Sequence, residues 1–164
     1  MSTHRIGQFV AHVRARVAAA EEADARRILG PEAWPLFAAM PVADRRHALD
    51  VVGRLRTAGW EDPDLLRAAL LHDAAKGHRM RLWHRVAGVL LEAVAPRLLA
   101  RLASDDWRSW RHPFHLYLHH ERLSADLAEA AGCSSRTVAF LRGTASGPGD
   151  VQLAHALEMA DDAS

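Results

Sequence analysis

Apolar residues recur at three- and four-residue intervals along nearly the whole chain, and prolines and glycines cut that pattern into short pieces. No stretch alternates apolar and polar residues for long enough to make a strand. The chain is therefore confined to packed helices. Breaks fall at Gly30-Pro31, Met40-Pro41, Gly59 to Pro63, Gly77, Pro96, Pro113, Gly132 and Gly147-Pro148-Gly149. They predict helices over 4–28, 32–39, 42–58, 63–75, 80–94, 97–103, 114–131, 135–144 and 150–162. With 164 residues, no internal repeat and no long linker, the expectation is one all-α domain. Residues 41–164 would form its core and residues 1–40 an N-terminal helical extension.

Charge narrows the partners. Lysine and arginine total 21 against 20 aspartates and glutamates, a net charge of +1. Such a balance creates no bulk field for nucleic acid or an anionic membrane surface. No apolar run approaches the ~20 residues of a membrane helix. The opening "MSTHRIGQFVAHVRARVAAA" interleaves His4, Arg5, His12, Arg14 and Arg16 with its apolar residues, unlike a secretory signal. Cys133 is the single cysteine, which excludes an intrachain disulfide and points to the cytoplasm. Eleven histidines are many for this length and point to metal ligation or proton transfer.

Helical register shows which polar side chains turn inward, because positions three and four apart share a face. His47 lies in line with Val51 and Leu55. In "LLRAALLHDAAKGHR", His72 follows Leu65 and Ala68, and Asp73 follows Leu66, Ala69 and Leu70. Lys76 is placed to reach the same spot. His120 shares a stripe with Leu116, Leu123 and Leu127, whereas His119 falls with His115, Arg122 and Asp126 on the wet side. Asp161 follows Leu153 and Leu157 inward, and Asp162 keeps company with His155 and Glu158. Several helices thus each aim an imidazole or a carboxylate from an apolar face. A lone inward histidine is usually a hydrogen-bonded core residue. Several together favour a shared divalent ion, which compensates buried carboxylate and neutral imidazole at once.

The ordered set, "RRHALDVVGRLRTAG", then "DLLRAALLHDAAKG", then "ALEMADDAS", resembles the HD-domain superfamily of metal-dependent phosphohydrolases. The family is all-helical, and its histidine, His-Asp pair and later aspartate hold a divalent metal. Carried over by position, the resemblance implies His47, His72, Asp73 and Asp161 as ligands. It implies a divalent cation (manganese, iron, cobalt, nickel, zinc or magnesium) and a small phosphoester substrate, a nucleotide first among them. Asp73 would also hold the attacking water, Lys76 would offset phosphate charge, and His120 would shuttle a proton. The "HDAAKG" segment is similar to the family's "HD-x-G-K" form, with Ala75 in place of glycine. His120 in "HHERLSADLAEAAG" resembles the histidine of the family's "H-P-x-x-G-A" segment, with Glu121 for proline and Ser124 for glycine. The family's next histidine pair is replaced by Gly143, Thr144 and Ala145, so one metal rather than several is expected.

Two other functions compete. A domain that kept the fold and lost catalysis would serve as a binding or scaffold module. "LSADLAEAAGCSSRTVAFLRG" resembles a bacterial helix-turn-helix, which would present Ser134, Ser135 and Arg136 to a major groove. Against the latter, no basic surround supplies phosphate contacts. His78, His84, His112, His115, His119 and His155 are expected on the surface or behind the site. Trp107 and Trp110, at i and i+3, would either pack in the core or wall a pocket.

Overall fold

The computed structural model, which describes residues 17–77, 80 and 82–164, builds an all-helical fold from the segments that the apolar period marks out. Among the described residues there are eight helices and no strand: α1 (Ala19–Ala38), α2 (Val42–Thr57), α3 (Pro63–Leu71), α4 (Leu82–Val94), α5 (Pro96–Leu102), α6 (His112–Ala130), α7 (Ser135–Leu141) and α8 (Pro148–Asp162). Residues 4–16 of the first expected helix, and His78, lie outside the described residues. No helix among the described residues is long and apolar enough to cross a membrane.

The punctuation acts where the sequence puts it. Pro63, Pro96, Pro113 and Pro148 each stand in the first turn of a helix, where a missing N–H costs nothing. Asp62 caps α3, its carboxylate accepting from the amides of Asp64 and Leu65 at 3.0 and 3.1 Å. Ser134 caps α7 in the same way, accepting from Thr137 N at 3.0 Å. The break expected at Gly30-Pro31 is a kink inside α1 rather than a gap: Gly30 takes φ 71° and ψ 176°, a left-handed turn that favours glycine. The expected N-terminal extension is also partly core, since Ala25, Ile28, Leu29, Ala33 and Phe37 of α1 are buried among the other helices.

At the centre lies α3. Leu65, Leu66, Ala68, Ala69, Leu70 and Leu71 are all buried, so this helix is apolar on nearly every side. Such a helix is stable only when surrounded. Helices α1, α2, α7 and α8 surround it, with the C-terminal half of α6, and each fully buried leucine contributes about 1.5–3 kcal/mol. α3 stops at Leu71, short of the expected end at 75. The cause is Ser124 of α6, whose hydroxyl accepts the Ala75 amide at 3.0 Å and so takes a donor that would have continued the helix. Residues 72–77 instead form turns closed by the tighter contacts Ala74 N to Leu71 O and Lys76 N to Asp73 O.

Helices α4 and α5 pack on each other and on the first half of α6, forming an arm beside the main core. Gly88 makes the α4–α6 contact possible. A Cβ there would come within 2.7–2.8 Å of the Tyr117 ring, and the Tyr117 hydroxyl donates to Glu92 at 2.6 Å. Two expectations fail in this arm. His84 is buried beside Phe114, not on the surface. Trp107 and Trp110 are 59% and 67% exposed, neither core residues nor part of the wall of the cavity described below.

Candidate metal centre

Two helix ends, the second turn of another helix and one connecting turn converge. His47 stands on the buried stripe of α2 with Val51 and Leu55, both buried. Asp161 closes the stripe of α8 after Leu153 and Leu157, also buried. His72 caps the C-terminus of α3, and Asp73 follows it. His47 Nε2 donates to Asp161 Oδ1 at 2.7 Å. His72 Nε2 lies 3.3 Å from the same oxygen, and the two imidazoles meet edge to face with centroids 5.1 Å apart. His47, His72 and Asp161 each offer one ligand atom, all within 4.8 Å of one another.

The tautomer of His72 follows from its other nitrogen. Nδ1 donates to the Ala69 carbonyl, three residues back, at 2.8 Å. Nε2 of the neutral ring is then an acceptor, and it faces Asp161 Oδ1 at 3.3 Å and Asp73 Oδ1 at 3.6 Å. Nε2 of His72 and Oδ1 of Asp73 are buried and make no hydrogen bond. Lone pairs from one imidazole and two carboxylates converge on one space, an arrangement that calls for positive charge there, of which Lys76 supplies a part at Asp73. A proton on His72 or a divalent ion meets that requirement, and two imidazoles with carboxylate oxygen form a donor set suited to a transition-metal ion.

The charges respond accordingly. Burial works against a charged His72, but Asp73 and Asp161 outweigh it and push its pKa up to about 9. Burial would raise Asp73, yet His72 and Lys76 hold its carboxyl well below the usual carboxylate range. Asp161 is likewise held low, against its partial burial, by the His47 hydrogen bond and by His72.

Asp73 stands apart from the triplet. Its Oδ1 lies 2.5 Å from Lys76 Nζ, one turn later, as an ion pair without hydrogen-bond geometry. Lys76 therefore neutralises Asp73 directly. His120 approaches from α6, with Nδ1 donating to the Tyr117 carbonyl at 3.0 Å and Nε2 3.9 Å from Asp73 Oδ1. Burial, helped by the Lys76 charge, lowers the His120 pKa and keeps the ring neutral near pH 7.

Of these groups, His72, His120 and Asp161 border an open cavity of about 590 Å³, and His47, Asp73 and Lys76 lie behind its lining. His72, His120 and Asp161 form one side, and Phe140, Leu141 and Leu157 form an apolar side. Gly143 and Ala145 also line it. A larger groove of about 860 Å³ between α2 and α8 contains none of His47, His72, Asp73 or Asp161. Ser124 was not among the expected site residues, yet it is fully buried and clamps the turn that carries Asp73 and Lys76. Its spacing of four from His120 was the available signal.

Two of the three helix-turn-helix candidates are engaged internally, while Ser135 is exposed. Arg136 donates to Asp62 at 2.6 Å and to Asp150 at 2.8 Å, and Ser134 donates to Asp64 at 2.7 Å. These side chains tie α7 to α3 and α8 rather than projecting outward. No protein-family model matches the chain, and comparison with curated proteins and with solved structures finds no match either.

Proposed function

We propose that this protein is a metal-dependent phosphohydrolase of the cytoplasm, acting on a small phosphoester, a nucleotide first among the candidates. The observation that carries the proposal is the meeting of His47, His72 and Asp161 around an orphaned, buried imidazole nitrogen beside an open cavity. The resemblance to HD-domain phosphohydrolases supplies the reaction class. His47, His72 and Asp161 would hold the metal, with Asp73 joining them if Lys76 releases it. When bound, a divalent ion lowers the pKa of water and screens phosphoryl oxygens.

The chain's own groups carry the remaining tasks. Asp73, ionised and acceptor-only, orients an attacking water through its oxygens. Lys76 supplies a positive charge that offsets the charge gathering on the phosphoryl group. His120, neutral and at the cavity wall, exchanges a proton with the reacting oxygen or the leaving group. Phe140, Leu141 and Leu157 offer a surface for the organic part of the substrate.

The second reading, a domain that binds a ligand without turnover, draws on Gly143 and Ala145, which line the cavity where the family carries histidines. Turnover of a phosphoester panel by protein loaded with each divalent metal separates the two. Asp73→Ala should abolish turnover, and His119→Ala, on the exposed side of α6, should leave it unchanged. Metal-loaded protein inert toward the whole panel would favour the binding module. Chelation that removes activity without unfolding identifies a catalytic metal, and a large fall in Tm with no activity to lose identifies a structural clip.

A further inference from the structure

Among its described side chains, helix α4 carries apolar residues on two sides. Its inner side, around Gly88, packs on Tyr117 of α6. Its outer side carries Trp83, Val86, Leu90 and Val94 at i, i+3, i+7 and i+11, one continuous stripe. The stripe runs on into the turn before α6, because Trp83 and Trp110 both meet the buried Phe114 ring edge-on, with centroids 6.3 and 6.4 Å away. Trp107 stands three residues before Trp110. All six residues are between 52% and 79% exposed. With roughly 150–250 Å² per large side chain, they leave on the order of 700 Å² of apolar surface accessible. The largest such patch on a typical monomer is about 300–600 Å².

We propose that this arm is a two-fold interface between copies of this chain. The accessible area approaches the ~800 Å² per partner that a standard interface buries. The patch has the composition of an interface centre, with tryptophan and aliphatic residues and no charged side chain among the six. Its surroundings carry both signs. Arg108 lies over the Trp107 ring, 5.0 Å from its centroid, Asp105 and Asp106 just before that tryptophan in sequence are exposed, and so are Arg97 and Arg101 of α5. In a two-fold interface the same surface meets itself, so a border of one sign would repel and a mixed border can pair. A membrane-surface helix needs instead a predominantly cationic border. The arm is distinct from the turn that carries His72 and Asp73, so the interface does not depend on the proposed activity.

The test is sedimentation equilibrium of the full chain from micromolar to near-millimolar concentration. The expected result is a monomer–dimer equilibrium that Leu90→Glu and Val94→Glu each weaken about tenfold or more. Both positions are exposed, so the variants should retain the wild-type helical circular dichroism, and Ala23→Glu on the exposed side of α1 should leave the equilibrium unchanged. A monomer at every concentration overturns the proposal. So does a dimer indifferent to both substitutions, or flotation of monomer with anionic vesicles that Leu90→Glu abolishes.

Discussion

His47 and Asp161, 114 residues apart in sequence, meet in a 2.7 Å hydrogen bond between Nε2 and Oδ1. That contact joins α2 to the last turn of α8, and His72 Nε2 stands 3.3 Å from the same oxygen. One carboxylate oxygen thus faces two imidazoles, and its charge helps to raise the pKa of His72.

Asp161→Asn keeps the shape and removes the charge. Metal affinity should fall by about tenfold or more, measured by competition with a chromophoric chelator. In the metal-free protein the NMR titration midpoint of His72 should move down from about 9, since one of the two carboxylates that raise it is gone. An unchanged midpoint would show that Asp161 does not act on His72.

The pH dependence of stability has a definite sign. His72 is raised above its unfolded value of about 6.5, so its contribution is complete below that pH and is lost as pH rises through about 9. Asp73 and Asp161 are lowered, so their contribution is present above the ordinary aspartate range and is lost on acidification. Metal-free protein should therefore lose Tm between about pH 6.5 and 9. Metal uptake at pH 7 should release about one proton, from His72, visible in calorimetry across buffers of different ionisation enthalpy.

Lys76→Met removes the ammonium group 2.5 Å from the buried Asp73 carboxylate. Stranding that charge should destabilise metal-free protein by about 3 kcal/mol, the low end for a broken buried pair, because protonated His72 also faces Asp73. A saturating divalent ion should restore much of the loss. Equal destabilisation with and without metal would show that Asp73 does not feel the ion.

Gly88→Ala places a methyl group 2.7–2.8 Å from the Tyr117 ring. Scanning calorimetry should show a destabilisation of about 1–3 kcal/mol, with Tm falling roughly 2–4 °C per kcal/mol. Metal affinity should be unaffected, because the contact lies in the arm.

The helices and their inward histidines and aspartates were legible in the sequence, because period and punctuation are local properties. His47 in line with Val51 and Leu55, and Asp161 in line with Leu153 and Leu157, need only 3.6 residues per turn to be placed. Local pattern does not carry what lies across the gap between helices. Only the tertiary structure brought His47 and Asp161 into contact and set Lys76 on Asp73 beside the triplet. It also ended α3 at Leu71, because the competing acceptor for the Ala75 amide, Ser124, arrives from a helix 49 residues further along. Trp107 and Trp110 illustrate the same limit from the other side. Their spacing suits a core pair, but burial depends on what packs opposite, and both rings are mostly exposed on the outer side of the arm.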